Sequence, residues 1–522
     1  MFGLLHTRLS RLVERGGDSV LQGGAIGVEK ESLRVTSDGS ISSRPHPESL
    51  GSALTHPWIT TDFSEALLEL VTPPFRHSWE TLQFLCDLHQ FVYQRIDEEM
   101  LWATSMPCAI SGDESIPIAH YGSSNSGRMK HVYRRGLGYR YGRVMQAIAG
   151  VHFNYSLPDR FWPLYQETEG VAGSRRAFQD RAYFDLLRNY RRFGWIVLYL
   201  FGASPAVCKS FLIGRDSRLA EWDPWTAYGP DSTTLRMSDV GYRNANQAGI
   251  TVSMNSLDEY VDGLDRAIRT SFPPYEAIGV QGEGEWRQLN TNMLQIENEY
   301  YGFIRPKQPA RSGERPARAL KSRGVAYVEV RSLDVSPLDP AGVSQNEMRF
   351  LEAFLIFCLL TESPPMDDEE ARGSDLNHVS VALKGRAADL ELSIGGRSRT
   401  VRQWGMEIVE ALRPVCRLLD ADQPEPSYQA SLDLQMEKLA DPSLTPSARL
   451  LDTMSEREVS FFEFARDLSE DYRSYFLQLP QLPAERVGRF ETEVVASHER
   501  QREIEEADDI PFEEFLGKYY AL

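Results

Sequence analysis

GVEKESLRV, residues 27–35, alternates apolar side chains with ionisable ones. In an extended backbone, residues two apart point the same way, so Glu29 and Glu31 project two carboxylates to one side. Like charges that close repel unless cations lie between them. Three more runs share the pattern. VHFNYS (151–156) sets His152 and Asn154 on one face and Val151, Phe153 and Tyr155 on the other. YVEVRS (327–332) lines Glu329 and Arg331 against Val328 and Val330, and LELVT (68–72) places Glu69 among apolar neighbours with Asp62 a few residues upstream. Four strands with polar inner faces predict a sheet that walls a site and does more than cover a core.

The rest of the chain frames that sheet. Its 522 residues correspond to roughly two to four average domains. The 56 Lys and Arg against 75 Asp and Glu leave a net charge of -19, which excludes a nucleic-acid binder relying on net positive charge. The longest apolar stretch, Trp195 to Ala203, falls far short of the about 20 residues that span a bilayer, so no membrane partner is expected. MFGLLHTRLSRLVERG at the start carries Arg8, Arg11, Glu14 and Arg15 at helical spacing and reads as a surface helix, not a signal peptide. Five widely spaced cysteines (Cys86, Cys108, Cys208, Cys358, Cys416) without any CxxC read as packing residues in a reducing, cytoplasmic setting, not as a disulfide framework.

The expected class is α+β, with residues 1–363 as a sheet-bearing catalytic core and 364–522 as a mostly helical part packed on it, both within one catalytic unit. Residues 78–102 carry a helical pattern. PPMDDEEARGSD (364–375) reads as a loop between the two parts, and DADQPEPS (420–427) as a break between helices. The acidic run REIEEADD (502–509) reads as a solvated helix face or, otherwise, a docking surface. GSSNSGRMK (122–130) has the glycine spacing of a phosphate-binding loop, but Arg128 and Met129 stand where Lys and Ser or Thr are needed. TDFSE (61–65) fits a helix cap closed by Glu65 as well as a strand end.

Taken singly, each polar pair fits an ordinary role. Glu29 and Glu31 suit a solvated edge strand, Glu69 an exposed face, His152 a hydrogen-bonded structural histidine, and Glu329 with Arg331 a cross-strand ion pair. Together Glu29, Glu31, Asp62, Glu69, His152 and Glu329 supply oxygen ligands with one imidazole, which suits Mg²⁺ or Mn²⁺ far better than a thiol-loving metal. Magnesium in such sites keeps positions open for phosphates, so the carboxylates imply a nucleotide. Arg331 then stands where it stabilises a transferring phosphoryl group. Arg134, Arg236 and Arg305 are candidates to grip a substrate carboxylate, with surface ion pairs as the other reading. Tyr133, Tyr242 and Tyr301 lie in turn-rich surroundings that suit a ring wall or plain packing.

Long blocks in one order carry a resemblance: GVEKESLRVTSDG (27–39), LGSALTHPWITTDFSEALLELVTP (50–73), YGSSNSGRMKHVYRRGL (121–137), MQAIAGVHFNYSLP (145–158), LQIENEYY (294–301), IRPKQPARSGE (304–314) and YVEVRSLDVSP (327–337). Together they resemble the large monomeric bacterial glutamate-cysteine ligase. No further 200–300 residues follow, so the chain does not resemble the fused enzyme that also makes glutathione.

The resemblance implies a mainly antiparallel sheet curved into a funnel with helices outside, similar to glutamine synthetase and guanidino kinases. It implies ATP-dependent joining of the L-glutamate side-chain carboxylate to the L-cysteine amine through γ-glutamyl phosphate, the first step of glutathione synthesis, with Mg²⁺ or Mn²⁺ as cofactor. It implies a monomer, with feedback inhibition by glutathione. Carried onto matching positions, Glu29, Glu31, Asp62, Glu69, His152 and Glu329 form the metal group and Arg331 contacts the phosphoryl. Phe63, Tyr133, Leu137, Gln146, Arg236, Tyr242, Asn298 and Tyr301 shape the amino-acid pocket. No position is assigned to the adenine. Lys30 replaces an arginine of the family pattern and Pro57 a lysine, and both are expected beside the ligands. Two rivals remain: a ligase of the same architecture using another amine, and a non-catalytic homologue that binds nucleotide or metal.

Overall fold

A computed structural model describes residues 2–215, 217–241, 249–250, 252–311, 313–394 and 396–521. Tyr242 lies outside the described residues. The central sheet contains β1 (Ala25–Val35), β2 (Ile59–Thr61), β3 (Leu67–Val71), β4 (Met100–Leu101), β5 (Val151–Ser156), β6 (Ile304–Lys307) and β7 (Tyr327–Leu333). Its order is β6-β7-β5-β1-β3-β2, every neighbouring pair is antiparallel, and β4 pairs with the end of β1. Around it run α1 (Gly3–Gly16), α2 (Ser78–Tyr93), α3 (Asn125–Tyr141), α4 (Arg175–Phe193), α5 (Trp195–Phe201), α6 (Gln345–Leu360), α7 (Asp368–Lys384), α8 (Val401–Leu419), α9 (Ser427–Ala440), α10 (Ala484–Glu506) and α11 (Phe512–Ala521).

Register turns alternation along the strands into chemistry across them. Glu29 pairs with His152, Glu31 with Glu69, and Glu329 with Asn154 on one side and Arg305 on the other. A one-residue slip of β1 would send both of its glutamates to the core face, so burial of that face fixes the site. On that face Val28, Leu68, Leu70, Phe153, Tyr155, Val328 and Val330 are buried, and α2, α4, α5 and α6 cover it. Between Val330 and Leu333 the pairing of β7 with β5 shifts register; such irregularities bend a strand and re-aim its side chains. Arg331 sits within that irregularity.

The apolar stretch that is too short for a membrane becomes α5, in which every residue from Trp195 to Phe201 is buried. A helix that is apolar all round belongs in a core. Among the described residues no helix is long and apolar enough to cross a membrane. α8 and α9 pack on each other and on α6, and one continuous apolar core runs from Leu5 of α1 to Phe490 of α10.

The structure corrects several expectations. Residues 364–375 are not a loop throughout: α7 starts at Asp368, because the Asp367 carboxylate accepts the Glu370 N–H and three acidic residues occupy the first turn, where the helix dipole favours them. The helical pattern of 78–102 ends at Tyr93, and Asp97, with φ of 52°, turns the chain into β4. Cys108 and Cys208 form a disulfide across 100 residues; their wide spacing concealed a pairing that only the tertiary fold creates. Cys86, Cys358 and Cys416 are free. Glu65 closes no helix cap, since its carboxylate accepts the backbone N–H groups of His46 and His120 at 2.8 and 2.7 Å. The run at 502–509 is more than a solvated face: Glu505 and Asp508 accept backbone N–H groups of Ser123 and Asn125 at the start of α3.

Candidate active site

The polar face of the sheet floors a cavity of about 530 Å³. Glu29, Glu31, Asp62, Glu69, His152, Glu329 and Arg331 all line it. Two clusters share the His152 imidazole, one with Glu29 and Glu329 and the other with Glu31 and Glu69, and the donor atoms within each lie within 4.8 Å of one another. The His152 Nδ1 is 3.1 Å from Glu29 and its Nε2 3.9 Å from Glu31. Asn154 donates to Glu29 at 2.9 Å and the Gly150 N–H to Glu31 at 2.6 Å, so each carboxylate is aimed by the strand opposite. Asp62, with its side chain 41% exposed, forms the rim.

Electrostatics separate the acids by environment. Burial, reinforced by Glu29, Asp62 and Glu31, raises the Glu69 pKa well above the usual carboxylate value. Burial likewise raises Glu31, against the pull of His152. Burial opposes ionisation of Glu29 too, yet its hydrogen bond with His152 holds the pKa below the ordinary value. Glu329 is held well below it: burial is overcome by Lys307 at 2.9 Å and Arg331 at 3.1 Å. A buried set of like charges that resists ionising together, built from acceptor-only oxygens and one imidazole, fits a hard divalent cation.

Next to this floor, Arg236 is buried, donating to the Arg331 carbonyl at 3.2 Å and standing 3.8 Å from Asp334. A Cβ added at Gly150 would fall on its guanidinium, so only glycine lets β5 approach Arg236 this closely. Phe63, Tyr133, Leu137, Gln146, Asn298 and Tyr301 also line the cavity. α3 supplies Tyr133 and Leu137 one turn apart; Ser124 caps it by accepting the Gly127 N–H at 3.1 Å. GSSNSGRMK is therefore a helix start, not a phosphate loop.

The other candidate side chains stand as follows. Arg305 borders the cavity but donates to the carbonyls of Asn298 and Tyr300, tying down the loop before β6. Arg134 lines the cavity as well, donating to the Asp62 carbonyl, standing 3.9 Å from the Asp62 carboxylate and lying over the Tyr121 ring. Lys30 is not beside the ligands: adjacent residues of a strand face opposite ways, so its ammonium is buried on the core side, hydrogen-bonded to Ser32 and 3.1 Å from His89 Nε2. Pro57 is exposed at a turn before β2.

Residue patterning missed Lys307, Phe515 and Tyr519, which also line the cavity. Lys307 was within reach, since IRPK alternates and places Arg305 and Lys307 on one face of β6. The two aromatic residues come from α11, whose return to the mouth of the site no local pattern announces.

The antiparallel sheet with this charged floor defines a protein with a candidate divalent-metal site able to receive phosphates. A family model described as glutamate-cysteine ligase matches residues 9–381. The glutamate–cysteine ligase of Alcanivorax borkumensis is 46% identical over 521 residues, 99% of each chain. That of Pseudomonas aeruginosa strain PAO1 is 47% identical over 521 residues, 100% of this chain and 98% of the relative. Among solved structures, the Francisella tularensis glutamate–cysteine ligase in complex with AMP aligns with a TM-score of 0.90 at 35% identity, over 96% of this chain and 98% of the other. A bifunctional glutathione synthetase from Pasteurella multocida gives 0.71 at 26% identity, over 90% of this chain and 55% of the other. The chain belongs to the glutamate-cysteine ligase family.

Proposed function

We propose that the protein joins L-glutamate to L-cysteine at the expense of ATP, forming γ-glutamylcysteine, ADP and phosphate. The observation that carries this reading is the convergence of four carboxylates, one imidazole and Arg331 on the floor of one cavity, with the Asp62 carboxylate at its rim. A carboxylate is a poor electrophile. Transfer of the γ-phosphoryl group of ATP to the glutamate side-chain oxygen makes γ-glutamyl phosphate. The cysteine amine then attacks the acyl carbon, the C–N bond forms as the C–O bond to phosphate breaks, and the amine loses a proton.

Mg²⁺, with Mn²⁺ as a substitute, would be held by Glu29, His152 and Glu329 and by Glu31, Glu69 and His152, with Asp62 at the rim. Such a cation, when bound, supplies charge neutralisation for the nucleotide phosphates. Arg331, fixed by Glu329 and re-aimed by the irregularity in β7, meets the charge that develops on the transferring group. Arg236 takes a substrate carboxylate in a two-pronged contact, while Phe63, Tyr133, Leu137, Gln146, Asn298 and Tyr301 shape the space for the two amino acids. The reading includes a cytoplasmic monomer without nucleic-acid partners, inhibited by glutathione because that tripeptide contains the product's γ-glutamylcysteine unit.

ADP release with each amino acid omitted in turn tests the reaction. Sustained release and γ-glutamylcysteine formation are expected only when both amino acids are present. Release that ignores cysteine, or equal product from unrelated amines, contradicts the assignment.

A further inference from the structure

Asp334 follows β7 directly and is buried, and no step of the proposed reaction uses it. Its two carboxylate oxygens have separate partners. One accepts the Ala203 N–H, two residues past the end of α5, at 2.8 Å. The other accepts the Thr234 hydroxyl at 2.9 Å and stands 3.8 Å from the Arg236 guanidinium. Burial raises the Asp334 pKa, and among its neighbours Arg236 opposes that rise most.

The same junction holds the backbone of Arg236. The Leu235 N–H donates to the Ser204 carbonyl at 2.7 Å, and the N–H groups of Thr233 and Thr234 converge on the Ala382 carbonyl of α7 at 3.0 and 3.2 Å. The short turn Leu235–Met237 is thus fixed to the exit of α5 and to α7, which leaves the placement of the guanidinium to its side-chain partners. The Arg331 carbonyl accepts from it at 3.2 Å, and Asp334 faces it three residues further along the chain. The acid floor competes for the same group: burial raises the Glu31 pKa, while His152, Arg236 and Arg331 pull it down.

We infer that Asp334 is the positioning residue for Arg236, its carboxylate holding the guanidinium back from the acid floor and ready for a substrate carboxylate. The inference rests on the reading of Arg236 given above and adds to it the group that aims the side chain. Arg236 lines the cavity, and a two-pronged grip works only if the plane of the fork is set before the substrate arrives. An arginine drawn onto Glu31 would lose that plane and neutralise a carboxylate that the cation needs. The plainer role for Asp334 is to fasten Ala203 and Thr234, and that role does not depend on Arg236.

A double-mutant cycle on the full chain separates the two roles. ADP release with Mg²⁺ and ATP is followed at varied glutamate and at varied cysteine for the parent, Asp334→Asn, Arg236→Gln and the double variant. Arg236→Gln should raise KM for one of the two amino acids by about 100-fold. Asp334→Asn should raise KM for that same amino acid by about 10-fold, leave KM for ATP and the turnover number near those of the parent, and add nothing once Arg236 is replaced. A KM for that amino acid that Asp334→Asn leaves unchanged, or multiplies equally with and without Arg236, overturns the inference while the reading of Arg236 stands. Should Asp334→Asn fail to fold, Thr234→Val keeps the shape and removes the hydroxyl that orients the carboxylate. It should shift the same KM in the same direction, less strongly and only with Arg236 in place; no shift overturns the inference. Parental KM values in Arg236→Gln refute the pocket role of Arg236, and the inference with it. A parent that forms no γ-glutamylcysteine refutes the proposed reaction and leaves this test standing, read then as glutamate and cysteine affinities by calorimetry across the same cycle.

Discussion

Arg331 and Glu69 show how burial gives one sheet face two different tasks. Arg331→Lys keeps the charge but loses the planar fork. Turnover is predicted to fall about 100-fold or more, with substrate KM values little changed, since the loss falls on developing charge; steady-state kinetics with an unaltered turnover number would reject the role. Glu69 concerns stability. Its pKa is raised, first by burial and then by Glu29, Asp62 and Glu31, so without divalent ions its ionisation opposes folding. That penalty is absent below the unfolded-state pKa and complete above the raised folded one. In EDTA the urea midpoint of the parent should therefore drop relative to Glu69→Gln as pH rises above the ordinary carboxylate range, and parallel profiles would contradict the assignment. Gly150→Ala should raise KM for an amino-acid substrate about 10-fold by displacing Arg236 from its close approach; unchanged kinetics would remove Arg236 from the pocket.

Elements were legible where a period and a cap coincide. Glu29, Glu31, Glu69, His152, Glu329 and Arg331 all fell to the same rule, alternation in a half-buried strand, and the register of β1, β3, β5 and β7 brought them together. In α7, Pro364 and Pro365 carry a loop signal only up to the Asp367 cap, and the acidic first turn that follows is the stronger signal. Lys30 obeys the same alternation, which sends it to the face opposite Glu29 and Glu31 even though it lies between them in sequence. Tyr519 and Phe515 were invisible because nothing local tells where a terminal helix returns. α6 tests the value of caps: Ser344 and Glu347 form a reciprocal capping box, so Ser344→Ala should cost about 1 kcal/mol, read by denaturant unfolding with activity retained. No change in the unfolding midpoint would show that packing of α6 alone sets its start.

At the scale of the whole molecule, one apolar core spans the sheet-covering helices and α8, α9 and α10, and Cys108–Cys208 ties the segment before α3 to the strand after α5. Closing so long a loop is predicted to stabilise the oxidised protein by about 2–4 kcal/mol. Cys208→Ser should then match the parent treated with reductant in thermal unfolding, and a parent insensitive to reductant would contradict this. The central claim, that strands distant in sequence assemble one divalent-metal site for a nucleotide, has a direct measurement in Mn²⁺ binding followed by electron paramagnetic resonance with ADP present. Stoichiometric binding that is lost or strongly weakened in both Glu29→Gln and Glu31→Gln is predicted. Binding that both variants retain at parental affinity, or no specific binding by the parent, would contradict it.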